Sequence, residues 1–229
     1  MQQLDDRLKA LADLVAEGAR VADIGTDHGY LAIDLIKSGR ASFVVAGDKN
    51  KGPYEAARRT VRLAGLNEKN ISVRLGDGLQ VLKPDEVDTV CIAGMGGILM
   101  TEILAAAPLV TNKLGTLILQ PMNGSLELRA WLYANDWHIV KEKLAVADGK
   151  LYEIICAKRG RAAKPSHIEL LVGPTLIKEQ PPLFKNHIET LLFSMRRVLN
   201  GMEKSETAKE TEKYKMVQQD IKELEELLK

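Results

Sequence analysis

The stretch Val21-Ala22-Asp23-Ile24-Gly25-Thr26-Asp27-His28-Gly29-Tyr30 constrains this chain more than any other. An apolar strand ends in an acid, a glycine-spaced turn follows, and an amphipathic helix runs from Leu31 to Lys37. That order is the first unit of a doubly wound α/β fold. Glycines in its turn let the backbone approach a ligand with no side chain in the way. A second acid, Asp48, closes the next strand, Phe43–Asp48. An acid about 20 residues beyond the turn can accept hydrogen bonds from ribose hydroxyls. The chain is therefore expected to bind an adenosine-type ligand.

Two cofactors use this architecture. A dinucleotide prefers Gly-x-Gly-x-x-Gly and rests its pyrophosphate on the helix N-terminus. Here the spacing is Gly25-x-Asp27-x-Gly29, and the third glycine is missing. A carboxylate at Asp27 repels a pyrophosphate but suits a ligand with a sulfonium and an ammonium group. The acid-x-Gly-x-x-x-Gly form that begins at Asp23 resembles motif I of S-adenosylmethionine-dependent methyltransferases. A strand-to-helix turn with no ligand is the plain alternative on this segment alone.

Apolar positions Leu4, Leu8, Leu11 and Val15 give a helical period over Gln3–Glu17. Strands are then expected at Arg20–Ile24, Phe43–Asp48, Ile71–Leu75, Val87–Ala93 and Gly115–Gln120. Helices are expected at Gly29–Ser38, Pro53–Gly65, Ile98–Ala106 and Ser125–Asn135. Near-continuous apolar strands separated by helices predict a parallel sheet covered on both faces. Two further strands, Trp137–Ala147 and Lys150–Lys158, flank Asp148-Gly149, a strong hairpin signal. The fold class is thus α/β: a Rossmann-like class I methyltransferase sheet ending in an antiparallel pair. A nicotinamide oxidoreductase, which usually continues in parallel, is disfavoured.

Composition shifts after Gly160, and Arg161–Pro165 reads as a linker. The domains are set at 1–160 and 161–229. Ile188, Leu191, Met195, Val198 and Met202 recur at steps of three and four, as do Tyr214, Val217, Ile221, Leu224 and Leu228. This predicts a C-terminal helical hairpin with a coiled-coil seam.

Of the 229 residues 45% are hydrophobic, yet no apolar run approaches the ~20 residues of a membrane span. The polar start, Met1–Arg7, is unlike a secretory signal. Cys91 and Cys156 each sit in an apolar strand and read as small core residues of a reduced, cytoplasmic protein. Scattered histidines form no metal-ligand cluster, so no metal is expected. A net charge of +1 gives no global field toward nucleic acid. Local basic groups stand at Arg58, Arg59 and Arg62 and in the stretch that includes Lys164.

Three loops at the carboxyl ends of the strands carry the remaining signals. Gly76-Asp77-Gly78 follows the third strand, where Asp77 can accept from an exocyclic amine or cap a helix. Ala93-Gly94-Met95-Gly96-Gly97 follows the fourth. Three glycines in four positions cost backbone entropy unless positive φ or close approach is required. The Asn/Asp-Pro-Pro-aromatic motif of many amine-methylating enzymes is absent, which fits an acceptor nitrogen that already offers a lone pair. Gln120-Pro121-Met122-Asn123 ends the fifth strand, with amides placed to read a base edge or simply to turn the chain. His28 and Tyr30 are candidates for orienting or stacking on a substrate.

Taken together, Asp-Ile-Gly-Thr-Asp-His-Gly-Tyr-Leu, Gly47-Asp48, Gly-Asp-Gly-Leu, Ala-Gly-Met-Gly-Gly and Gln-Pro-Met-Asn closely resemble the bacterial tRNA adenine-N1 methyltransferase family of TrmK type, which acts on adenine 22. The resemblance covers the whole chain. It implies S-adenosyl-L-methionine along Asp23, Gly25, Thr26, Asp27, Gly29, Asp48, Lys49, Asp77, Gly78, Ala93 and Gly94. It implies methyl transfer beside His28, Tyr30, Gly94, Met95 and Gly96. It further implies tRNA contacts at Gln120, Asn123, Arg58, Arg59, Arg62 and Lys164, and a C-terminal coiled coil that helps engage tRNA. A monomer or weak homodimer is expected. The rival readings are a small-molecule or protein methyltransferase with the same cofactor and a non-catalytic cofactor-binding scaffold.

Overall fold

The computed structural model describes residues 4–229. In chain order the elements are α1 (Asp6–Ala12), β1 (Ala19–Ile24), α2 (Tyr30–Lys37), β2 (Ala41–Asp48), α3 (Lys51–Leu63), β3 (Ile71–Leu75), β4 (Thr89–Met95), α4 (Gly97–Ala105), α5 (Pro108–Thr111), β5 (Thr116–Pro121), α6 (Ser125–Ala134), β6 (Trp137–Ala147) and β7 (Lys150–Arg159). A 3-10 turn, Gly78–Val81, stands between β3 and β4.

The strands form one seven-stranded sheet in the order β3-β2-β1-β4-β5-β7-β6. All pairs from β3 to β5 are parallel, and β7 runs antiparallel to both β5 and β6. The reversal begins at Asp148-Gly149, where φ of 49° and 70° gives the hairpin a twist that matches its strands.

Continuous apolar runs in β1, β2, β4 and β5 bury both faces of the sheet. On one side Ala22, Val45, Ile92 and Leu119 pack against Met100 and Leu104 of α4 and Leu128 and Leu132 of α6. On the other, Val21, Val44, Cys91 and Ile118 pack against Leu11 of α1, Leu31 and Leu35 of α2, and Val61 of α3. Burial pushes the Cys91 and Cys156 thiols above their ordinary range, so both act as core residues.

The first helix is shorter than its periodicity predicts. Asp5 caps it by accepting the Leu8 N–H at 2.7 Å, and it ends at Ala12. Tight turns then carry Val15 into the core, so the apolar spacing persists where the helix does not. Gln3, at the start of the expected helix, and the Met1–Gln3 part of the polar start lie outside the described residues.

The chain divides into two compact units, Met1–Ala163 and Lys164–Lys229. In the second, α7 (His167–Val172) opens with a Ser166/Glu169 capping box, and Gly173 breaks it from α8 (Pro174–Glu179). Two longer helices, α9 (Phe184–Met202) and α11 (Glu212–Glu226), follow, with the short α10 (Glu206–Lys209) between them. Arg196 of α9 pairs with Glu225 of α11 at 2.7 Å. Ile188, Leu192, Val217 and Leu224 are buried, but Val198 is 42% exposed. The seam is therefore dry toward the start of α9 and wet toward its end. Leu192, one residue off the expected series, takes the buried place beside Ile188.

Candidate active site

The ends of β1 and β4 meet at a cavity of about 560 Å³ lined by the Gly25–Tyr30 turn, Asp23, Ala93 and Gly94, together with Arg7 of α1. The β1 turn is tied to β2: the Gly25 and Thr26 N–H groups both donate to the Gly47 carbonyl, at 2.8 and 3.1 Å. Gly25 has φ +81°, and a Cβ there would stand 2.2 Å from Met95 Cε. The Met95 side chain thus lies over the bare Gly25 backbone.

Asp23 forms the floor. It is 6% exposed, and burial raises its pKa to about 6, with the Asp48 charge adding to the shift. Thr26 lies beside it and favours the ionised form, but Thr26 Oγ1 is buried without a partner of hydrogen-bond geometry. A buried acid held near neutrality and an orphaned hydroxyl are both improved by a cationic ligand with hydrogen-bonding groups. Asp27 stands at the exposed rim, 3.4 Å from His28 Nε2. The His28 and Tyr30 rings stack with centroids 5.4 Å apart.

At the end of β4 the register to β5 shifts between Ala93 and Met95, and Gly94 bulges out with φ +74°. Its N–H donates to Gln120 Oε1 at 3.0 Å. The same oxygen accepts from Arg7 at 2.6 Å, while Gln120 Nε2 donates to the Pro121 carbonyl at 2.8 Å. Gln120 is fully buried. Its amide is consumed in fixing the bulge and Arg7, so it does not present a face to a base, contrary to expectation. Arg7, whose guanidinium also lies 5.6 Å from the Tyr152 ring centre, is the cation the sequence reading missed. No linear spacing marks it, because α1 reaches the crevice only through packing.

The other glycines of the β4 loop differ in cause. Gly97 is buried, and a Cβ there would meet the Gly124 carbonyl at 2.2 Å. Gly96 faces the side chain of exposed Asn123, with 3.0 Å from a built Cβ to Asn123 Oδ1.

Asp48, the last residue of β2, Lys49 just after it, and Asp77 and Gly78 beyond β3 lie outside that cavity's lining. Asp48 Oδ1 accepts the Asn50 N–H at 2.7 Å, and the Gly76 N–H donates to the Asp48 carbonyl at 3.0 Å, which joins the two loops. Asp77 makes no side-chain cap to the following turn. Arg58, Arg59 and Arg62 are exposed on α3, and Lys164 is exposed at the start of the second unit. Among the described residues no three His, Cys, Asp or Glu groups are clustered for a metal ion, and no helix is long and apolar enough to cross a membrane.

A family model described as tRNA (adenine(22)-N(1))-methyltransferase matches residues 21–226. The Bacillus subtilis tRNA (adenine(22)-N(1))-methyltransferase is 37% identical over 99% of this chain and 96% of its own length. The crystal structure of the B. subtilis M1A22 tRNA methyltransferase TrmK superposes with a TM-score of 0.89 at 34% identity, over all of both chains. Streptococcus pneumoniae Sp1610, solved in complex with S-adenosyl-L-methionine, gives 0.88 at 32% identity over 99% of this chain and 100% of its own. The chain belongs to the tRNA (adenine(22)-N(1))-methyltransferase family.

Proposed function

We infer that this chain transfers a methyl group from S-adenosylmethionine to N1 of adenine 22 in tRNA. The observation that carries this is the family match joined to a crevice whose acids, Asp23 and Asp27, suit a cationic methyl donor. The cofactor supplies an electrophilic sulfonium methyl. The protein's residues divide the remaining work. Asp23 and Asp27 hold the ammonium end, and Arg7 pairs with the carboxylate beside it. Asp48, with one oxygen already fixed by Asn50, offers the other to the ribose hydroxyls. Asp77, on the next loop, accepts from the adenine amine of the cofactor.

Adenine N1 carries an in-plane lone pair at neutral pH, so no side chain has to remove a proton before attack. The protein's task is alignment and exclusion of water, worth several kcal/mol. The bulge at Gly94 leaves room for the acceptor ring, with His28 and Tyr30 on its flank and Gly96 letting the Asn123 side chain come close. The target base must leave its stack, which costs a few kcal/mol. Phosphate contacts from Arg58, Arg59, Arg62 and Lys164 offset that cost. In the C-terminal unit, exposed Phe193 beside Arg196 and Arg197 supports a second tRNA contact.

Labelled methyl donor and unmodified tRNA test the assignment. Methylation at N1 removes a Watson–Crick position, so reverse transcriptase is expected to halt one nucleotide short of position 22. Incorporation of label with no halt there would refute the site of transfer.

A further inference from the structure

A second cavity, of about 870 Å³, lies between α2 and α3 and shares His28 and Tyr30 with the cofactor crevice. Its wall is apolar where Ile33 and Ala64 line it, and Leu63 on its edge is 82% exposed. An exposed leucine beside a stacked aromatic pair is apolar surface that the fold itself does not use. Arg59 stands on the same edge one turn before Leu63, and Arg58 and Arg62 continue the exposed basic face of α3. The opposite wall, on α2, carries Asp34 and Lys37. The cavity therefore offers flat apolar contacts toward the crevice and cations along one edge.

We propose that this groove holds the nucleotide next to the target adenine, its base against Tyr30, His28 and Leu63 and its phosphate on Arg59. This rests on the reading that the chain methylates tRNA. Two observations favour a nucleic acid strand over an acidic peptide. The groove and the crevice share His28 and Tyr30 in their walls, so a strand with one nucleotide in the crevice can lay its neighbour in the groove. The ring stack is also a platform for planar bases, whatever their identity. On the α2 side Asp34 offsets Lys37, whereas Arg58, Arg59 and Arg62 leave the α3 side cationic, so the backbone is directed toward α3.

The test uses the full chain, unmodified tRNA, and the same tRNA with an abasic residue on either side of the target. Leu63→Glu is chosen because the side chain is on the surface and its loss does not disturb the core. It should raise KM for tRNA about tenfold, with kcat and S-adenosylmethionine affinity within about twofold. An abasic neighbour on one side should raise the wild-type KM to a similar degree yet add little in Leu63→Glu. Arg59→Glu should raise KM at least as much and flatten its salt dependence. An unchanged KM in Leu63→Glu, or abasic and Leu63→Glu effects that simply multiply, would overturn the groove. No transfer to tRNA by the wild type, with cofactor binding intact, would remove the proposal together with the reading beneath it.

Discussion

The α/β unit and the helical unit differ in how far they take ion pairs out of water. In the first, charge is taken deep into the molecule and made to fix the architecture. Arg129 is fully buried on α6, donates to Glu142 of β6 at 2.8 Å and pairs with Glu153 of β7, which also accepts from Ser125 at 2.9 Å. Burial alone would lower the Arg129 pKa, but the two carboxylates hold it above its ordinary value. In the second unit Asp220 is buried but its partner His167, 3.0 Å away, is open to water, the pair that ties the two long helices, Arg196 with Glu225, is half in water, and part of the apolar seam is wet too. The lesson is that the first unit is specified by geometry throughout its interior. The second is packed dry at one end and left open to water at the other.

The largest expected effect breaks the first side of that contrast. Arg129→Met removes the buried cation that Glu142 and Glu153 share and should cost about 3–5 kcal/mol, whereas Arg196→Ala should cost under about 1 kcal/mol. Urea unfolding separates them when tryptophan fluorescence follows the α/β unit, which holds Trp131 and Trp137, and amide exchange along α9 and α11 follows the helical one. Equal losses would remove the distinction.

Asp23→Asn should do the reverse of most core changes. The folded-state pKa is raised from 3.8 to about 6, so folding favours the protonated acid. Native stability from this group is full below pH 4 and is lost as pH rises through 6, by about 3 kcal/mol in total. The asparagine variant should therefore be more stable than the wild type at pH 8, by an amount that vanishes below pH 4, while losing cofactor affinity. Calorimetric melting across that range reads the first effect. Wild-type cofactor affinity should itself fall as the medium becomes more acidic than pH 6.

Arg7→Met sharpens the view that the crevice is fixed by internal bonds. It should weaken S-adenosylmethionine binding by about 1.5–3 kcal/mol but leave 5′-methylthioadenosine, which lacks the carboxylate, within about twofold. A parallel loss for both ligands would make Arg7 merely structural. The smallest contrast lies inside the helical unit. Leu192→Ala should cost about 2–3 kcal/mol and Val198→Ala at most about 0.5, read by amide exchange along α9.

Much of the α/β unit was legible because its signals are local. Short unbroken apolar runs between turn residues, such as Val90–Ala93, read as strands buried on both faces, and Asp148-Gly149 reads as a tight hairpin turn. Motif I was legible for the same reason: its glycines and acid act on their own turn. The Gln120 amide was not, because the partners that turn it inward, Arg7 and Gly94, lie 113 and 26 residues away. The Leu191 and Leu192 difference has a similar origin. Periodicity gives a stripe, but which edge of the stripe is dry depends on the neighbours packed against α9.

By itself the sequence determined the order of strands and helices, the switch from parallel to antiparallel pairing, and the acid-lined turn, since each follows from residues close together along the chain. Only the tertiary structure decided that Arg7 joins that turn, that Asp23 is a buried acid near neutrality, and that a groove opens from Tyr30 toward Leu63. Those properties arise from desolvation and from contacts between distant segments, and neither quantity exists until the chain is packed.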